Sequence, residues 1–188
     1  SDLSQAQLDG VTVNSTGQVT ELDLSGWQLA ALPSTIGNLK ALDYLNVAMN
    51  SLQGEHSRST NRALTTLPAA LPESIGKLEA LTDLDLRYNA LEGEHSCSTN
   101  SPLTLACTEL PSTIGNLKAL TFLALNGNKL SGAYSCSTNR ALTTLPAALP
   151  ETIGKLEALK TLNVRENTLE GEHLRSTNHA SNLTRSCL

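Results

Sequence analysis

Leucines recur along this chain in a frame that an extended strand explains. Residues 120–130, LTFLALNGNKL, read L-x-x-L-x-L-x-x-N-x-L, and the same frame fills 42–52 (LDYLNVAMNSL), 81–91 (LTDLDLRYNAL) and 159–169 (LKTLNVRENTL). The copies start at 42, 81, 120 and 159, a period of 39 residues without slippage, and an imperfect first copy, VTELDLSGWQL, spans 19–29. Leu84 and Leu86, like Leu123 and Leu125, are two apart, so they point to one face of a strand while their neighbours point away. A single strand cannot bury its leucines alone. Copies stacked edge to edge in a parallel sheet, roughly 4.7–4.9 Å apart, can. Strands are therefore predicted near 21–25, 44–48, 83–87, 122–126 and 161–165. The Asn of each frame (Asn50, Asn89, Asn128, Asn167) falls where the chain turns inward. A buried amide there can bond the backbone groups that the turn leaves unpaired. Trp27 takes this place in the first copy.

A return segment leads into each later frame. The first is 32–42, LPSTIGNLKAL, and its proline recurs at Pro72, Pro111 and Pro150. Pro33 suits the first position of a short helix. Ile36, Leu39 and Leu42 fall three apart, which keeps one stripe inward in a 3₁₀-like segment. The strand frame and the words LPxxIGxLxxL resemble plant-type and some bacterial leucine-rich repeats, over about residues 11–170. The resemblance implies an α/β solenoid: an arc with a five-stranded parallel sheet on its concave face and short helical or 3₁₀ returns. Residues 1–18 carry no frame and are read as the remnant of an amino-terminal cap, with 19–188 as the repeat domain. The run 9–26, DGVTVNSTGQVTELDLSG, resembles the cap-to-repeat junction of extracellular members, with Val13 where a Cys is common.

The later repeats depart from the family pattern. Val19 to Leu42 is 23 residues, a usual coil length, but each later repeat adds 16 residues, starting at Gly54, Gly93 and Gly132. In register, these inserts should stack as a ridge along one flank, with Ala63–Leu67 and its equivalents as a short second ladder. A second period underlies the first: 54–81 and 132–159 differ at four places only, an offset of 78. This near-identity points to duplication of a two-repeat unit. After Asn167 the LPxxIG return does not recur, so we expect a longer array or a stacking partner.

Charge and composition narrow the function. A net charge of −5 argues against nucleic acid, which needs a basic face. No run is long or apolar enough to span a membrane. The glycosylation sequons Asn14-Ser15-Thr16 and Asn182-Leu183-Thr184, with four cysteines, lean to an extracellular or cell-surface location. Four cysteines allow three connectivities. A Cys97–Cys136 bridge joins equivalent positions but leaves Cys107 and Cys187 about two coils apart. The pairing Cys97–Cys107 with Cys136–Cys187 avoids this, and free thiols remain a further alternative.

No residue grouping calls for catalysis, a metal or a cofactor. The word GEH repeats at His56, His95 and His173, but Ala133-Tyr134 interrupts the column, which reads as a solvated ridge. The Ser-Thr-Asn words at 59–61, 98–100, 137–139 and 176–178 sit in expected turns, which weighs against a flat ice- or surface-binding column. The concave face carries more chemistry. Its outward columns hold Tyr44, Met49, Arg87, Tyr88, Phe122 and Arg165, residue types that dominate binding hot spots. Two readings follow. One is a non-enzymatic recognition module that binds a protein, peptide or glycan on this face. The other is a structural glycoprotein repeat that stacks with copies of itself into a fibril or coat.

Overall fold

Alternation of leucine with polar residues sets the strands side by side. The computed structural model describes residues 9–52, 70–91, 110–133 and 149–170. The strands there are β1 (Val11–Val13), β2 (Val19–Asp23), β3 (Tyr44–Asn46), β4 (Asp83–Asp85), β5 (Phe122–Ala124), β6 (Ser131–Ala133), β7 (Thr161–Asn163) and β8 (Thr168–Glu170). Strands β2, β3, β4, β5 and β7 pair in parallel, and Leu22, Leu45, Leu84, Leu123 and Leu162 form one column across them. From Leu45 onward the leucines of that column are buried. Hydrogen bonding runs on past the short strands: the N–H groups of Met49, Tyr88 and Gly127 donate to Arg87, Asn126 and Arg165 at 2.9, 2.9 and 3.0 Å.

The main sheet has six strands rather than five. Its order is β1-β2-β3-β4-β5-β7, and β1 pairs antiparallel with β2. The segment read as a cap remnant thus supplies a hairpin that takes up the outer edge of β2, whose backbone groups would otherwise face outward unpaired. Its turn is locally determined. Gly17 has a φ of 79°, and the Asn14 Oδ1 accepts from the Thr16 and Gln18 N–H groups, both at 3.0 Å. A second, two-stranded parallel sheet pairs β6 with β8, at the end of the repeat frame.

The frame asparagines lock coil to coil. Asn89 Nδ2 donates to Val47 O of the preceding coil at 3.0 Å and to Leu86 O of its own at 3.1 Å, while its Oδ1 accepts from Leu52 N–H at 3.1 Å. Asn128 does the same with Leu86 O (2.9 Å), Leu125 O (2.9 Å) and Leu91 N–H (3.1 Å). Asn50 and Asn167 complete the column through Leu24 O and Leu29 N–H, and through Leu125 O and Leu130 N–H. The carbonyls of Val47, Leu86 and Leu125 therefore each accept two side-chain amides, one from their own coil and one from the next.

The returns are 3₁₀ turns: η1 (Ser34–Asn38), η2 (Glu73–Lys77), η3 (Ser112–Asn116) and η4 (Glu151–Lys155). Each proline sits just before the turn rather than at its first helical position. Pro33 has φ −69° and ψ 147°, an extended residue whose carbonyl accepts from Ile36 N–H at 3.0 Å. Ile36, Ile75, Ile114 and Ile153 point into the core. Gly37, Gly76 and Gly115 let the returns close on one another, because a Cβ at any of them would overlap the backbone carbonyl of Ser74, Thr113 or Thr152 in the next coil. The Ser74 and Thr113 hydroxyls stitch the same stack, donating to Ser34 O and Glu73 O at 2.6 and 2.7 Å.

The ridge of inserts, the Ala63–Leu67 ladder, the GEH column, the Ser-Thr-Asn words, Asn182 and the cysteines Cys97, Cys107, Cys136 and Cys187 all lie outside the described residues.

The asparagine column makes a prediction. Asn128→Ala strips the buried Leu91 N–H of its partner and leaves the Leu86 and Leu125 carbonyls with one amide each, at a cost of about 2–4 kcal/mol. Asn50→Ala, in a less buried position, costs less because water can replace the amide. Urea unfolding of the two variants compares them; equal losses contradict this account.

Candidate functional site

The sheet face opposite the leucines is an ordered array of columns set by register. Glu21, Tyr44, Asp83, Phe122 and Thr161 form the first column, and Asp23, Asn46, Asp85, Ala124 and Asn163 the second. In the second column a side-chain oxygen usually caps the backbone two residues on. Asp23 accepts from Ser25 N–H at 2.8 Å, Asn46 from Ala48 at 3.0 Å, Asp85 from Arg87 at 3.0 Å and Asn163 from Arg165 at 3.2 Å. These caps end the strands and orient the residues that follow.

The turn after each strand has a left-handed residue at one repeat position. Gly26 and Gly127 take φ 74° and 69° there, but Met49, Tyr88 and Glu166 adopt 56°, 52° and 54°. Bulky side chains rarely occupy this region, which costs them roughly 1–2 kcal/mol each. The conformation throws the Met49 and Tyr88 side chains outward, 64% and 44% exposed. The Tyr88 ring lies over the next coil at Gly127, where a Cβ would overlap ring atoms Cδ1 and Cε1. Gly127 therefore serves twice, in its own backbone and as the floor beneath an aromatic ring.

Arg87 is held rather than free. Its Nε donates to both carboxylate oxygens of Asp85, at 2.9 and 2.8 Å, and its terminal nitrogen lies 2.6 Å from Oδ2. The Asp85 side chain is 8% exposed and that of Arg87 44%. Hydrogen bonding to Asp85, then its charge, raises the Arg87 pKa above the ordinary value. Burial, followed by the negative fields of Asp23 and Asp85, raises that of Tyr44 and keeps its hydroxyl protonated. Burial would push the Asp23 carboxyl up, yet the hydrogen bonds from Ser25 and Asn46 outweigh it and lower its pKa.

Of the six residues expected on this face, the first column brings Tyr44 and Phe122 together with Asp83 between them. Tyr44 is exposed and Phe122 half-buried. Arg165 is exposed, beyond Asn126 from Arg87. Two features escaped the sequence reading. One is the Asp85 tether on Arg87, which the D-x-R spacing signals. The other is Asn126, which is 7% exposed and whose Oδ1 has no hydrogen-bond partner. Asn14 lies half-buried in the hairpin turn, where its Oδ1 also accepts from the Thr16 hydroxyl at 2.7 Å. Among the described residues no cluster of His, Cys, Asp and Glu is placed to hold a metal, and no helix is long and apolar enough to cross a membrane.

Solved structures with the same arrangement settle the architecture. A chain of the BIR3–SERK2 complex from Arabidopsis thaliana is similar with a TM-score of 0.59 and 24% identity, over 95% of this chain and 74% of that one. The BIR2 ectodomain, also from Arabidopsis thaliana, gives 0.55 and 21%, over 90% and 70%. The fold is a leucine-rich-repeat solenoid. A plant ice-binding protein shares it as well, with a TM-score of 0.56 and 21% identity over 87% of this chain and 39% of that one. No protein-family model matches the sequence, and no curated protein matches it significantly.

The contact of Tyr88 with Gly127 is testable in this solenoid. Gly127→Ala should destabilise by more than 1 kcal/mol, and a double-mutant cycle with Tyr88→Ala should recover part of that loss, because the ring is then absent. Strict additivity in urea unfolding contradicts the contact.

Proposed function

We propose that this chain is a non-enzymatic, extracellular leucine-rich-repeat recognition module that binds a protein, peptide or glycan on the concave, open face of its sheet. The observation that carries this reading is the shared patch of Tyr44, Met49 and Tyr88, three large apolar side chains left 38–64% exposed on one ordered surface. Two of the three are presented by left-handed backbone, whose cost must be met by the rest of the fold and which clusters at functional sites. Aromatic and Met side chains on a rigid sheet lose little conformational freedom on binding, which is why they dominate interface energetics. A similar chain is found in a complex of two proteins, BIR3 and SERK2. The ice-binding neighbour shows that the fold alone does not choose a ligand. The choice must come from this face. Phe122, Arg87 and Arg165 complete the patch, and an extracellular setting accords with the sequons at Asn14 and Asn182 and would allow the proposed pairing Cys97–Cys107 with Cys136–Cys187.

The test uses secreted partners recovered with the full chain and measured again with Tyr44→Ala/Tyr88→Ala. Affinity should fall at least tenfold, as expected for loss of hot-spot aromatics. Unchanged affinity, with the variant folded by circular dichroism, removes the open face from the binding site.

A structural repeat is the second reading, and two observations favour it. Residues 54–81 and 132–159, which lie 78 apart, differ at four places only. Among the described residues, the Val164 carbonyl takes the Asn167 amide alone, where those of Val47, Leu86 and Leu125 take two. A further coil stacked on β7 would supply the second. Electron microscopy of the purified chain separates the readings: filaments with a repeat matching stacked coils support this one, and discrete particles support the recognition module.

A further inference from the structure

We infer that the occupant of the open face is a cationic peptide segment, with an arginine or lysine side chain laid over the Tyr44 ring between Glu21 and Asp83. This inference rests on the binding-face reading above and names the chemistry of its ligand. Tyr44 is flanked in its column by Glu21 on β2 and Asp83 on β4. Two strand spacings separate these carboxylates, roughly 9–10 Å, so both lie within reach of one cation centred on the ring. The exposed ring offers its negative face to that cation.

Charge on the face is unevenly placed. The first three coils carry Glu21, Asp23, Asp83 and Asp85 in the two strand columns, against Arg87 alone. Arg87 is already taken by Asp85. Among the described residues, Glu21, Asp23 and Asp83 have no ion-pair partner. Their short bonds are to neutral groups: Thr12 Oγ1 to Glu21 at 2.9 Å, Thr82 Oγ1 to Asp83 at 2.7 Å, and Asn46 Nδ2 to Asp23 at 3.1 Å. In the last coil Arg165 and Glu166 offset each other. A ligand rich in donors and poor in acceptors suits the first three coils. Guanidinium and ammonium groups are donors only, whereas an acidic peptide would place like charges beside Glu21 and Asp83. Exposed Met49 and Tyr88 flank the acidic coils with apolar surface for the aliphatic stems of the same side chains.

The experiment selects binders from a random dodecapeptide display library on the full chain, then measures a leading peptide against variants. Selected peptides should carry excess arginine and lysine. Glu21→Gln/Asp83→Asn, which keeps shape and removes two charges, should weaken the leading peptide at least tenfold. If that variant fails to fold, salt decides: wild-type binding should weaken several-fold when ionic strength rises about tenfold, and salt-independent binding overturns the inference. Selected peptides without net positive charge that lose affinity on Tyr88→Ala overturn the cationic ligand while sparing the binding face. Peptides whose affinity no open-face variant alters overturn both, as does a library that yields no binder.

Discussion

One side-chain amide per repeat decides whether this chain can be a stack at all. A parallel sheet built from three- to five-residue strands cannot hold coils in register through its ladder alone. The asparagines at 50, 89, 128 and 167 bridge each coil to the one before, with the amide donating to the previous coil and to its own, and the carbonyl oxygen accepting from the previous coil. Because interior carbonyls each receive two amides, the bonds form a continuous line through the solenoid rather than isolated clips. The leucines supply the driving force for burial, and they would do so in several registers. The amides make one register better than its neighbours.

That fixed register gives the open face its order. Once Leu45, Leu84 and Leu123 are aligned, Tyr44, Asp83 and Phe122 must be aligned too, and so must the second-column oxygens that cap the strand ends. The turn that brings each asparagine inward needs a left-handed residue just before it. Where that residue is glycine the surface is bare, and where it is Met49 or Tyr88 a large side chain stands out from the sheet. Core geometry and surface presentation are thus two results of one backbone turn.

Most of the solenoid was legible because repetition averages out local ambiguity. A single L-x-L is a weak strand signal, but four copies at a spacing of 39 leave one arrangement that buries them all. One feature that escaped was not repeated. The hairpin of β1 occurs once, and its signal is the Asn-Ser-Thr-Gly turn between two Val-Thr runs. The return prolines take an extended ψ because each precedes its turn instead of entering it. The frame implied the register of the first two face columns, yet the freedom of the face residues was not readable. Tethering of Arg87 depends on Asp85 being nearly buried, and Phe122, set between Asp83 and Thr161 in its column, is half-buried. Glycine at 26 and 127 was the available clue that Met49 and Tyr88 share a left-handed position.

The glycines of the return have a quieter effect. Gly37, Gly76 and Gly115 each sit against the next coil, so the junctions before and after every coil present the same surfaces. An interior pair of coils can then be added or removed without redesigning either neighbour. Two coils span 78 residues, so each such pair extends the sheet by roughly 9–10 Å. A surface assembled this way grows by whole columns, and any ligand that spans it is measured against a ruler whose divisions are the strands.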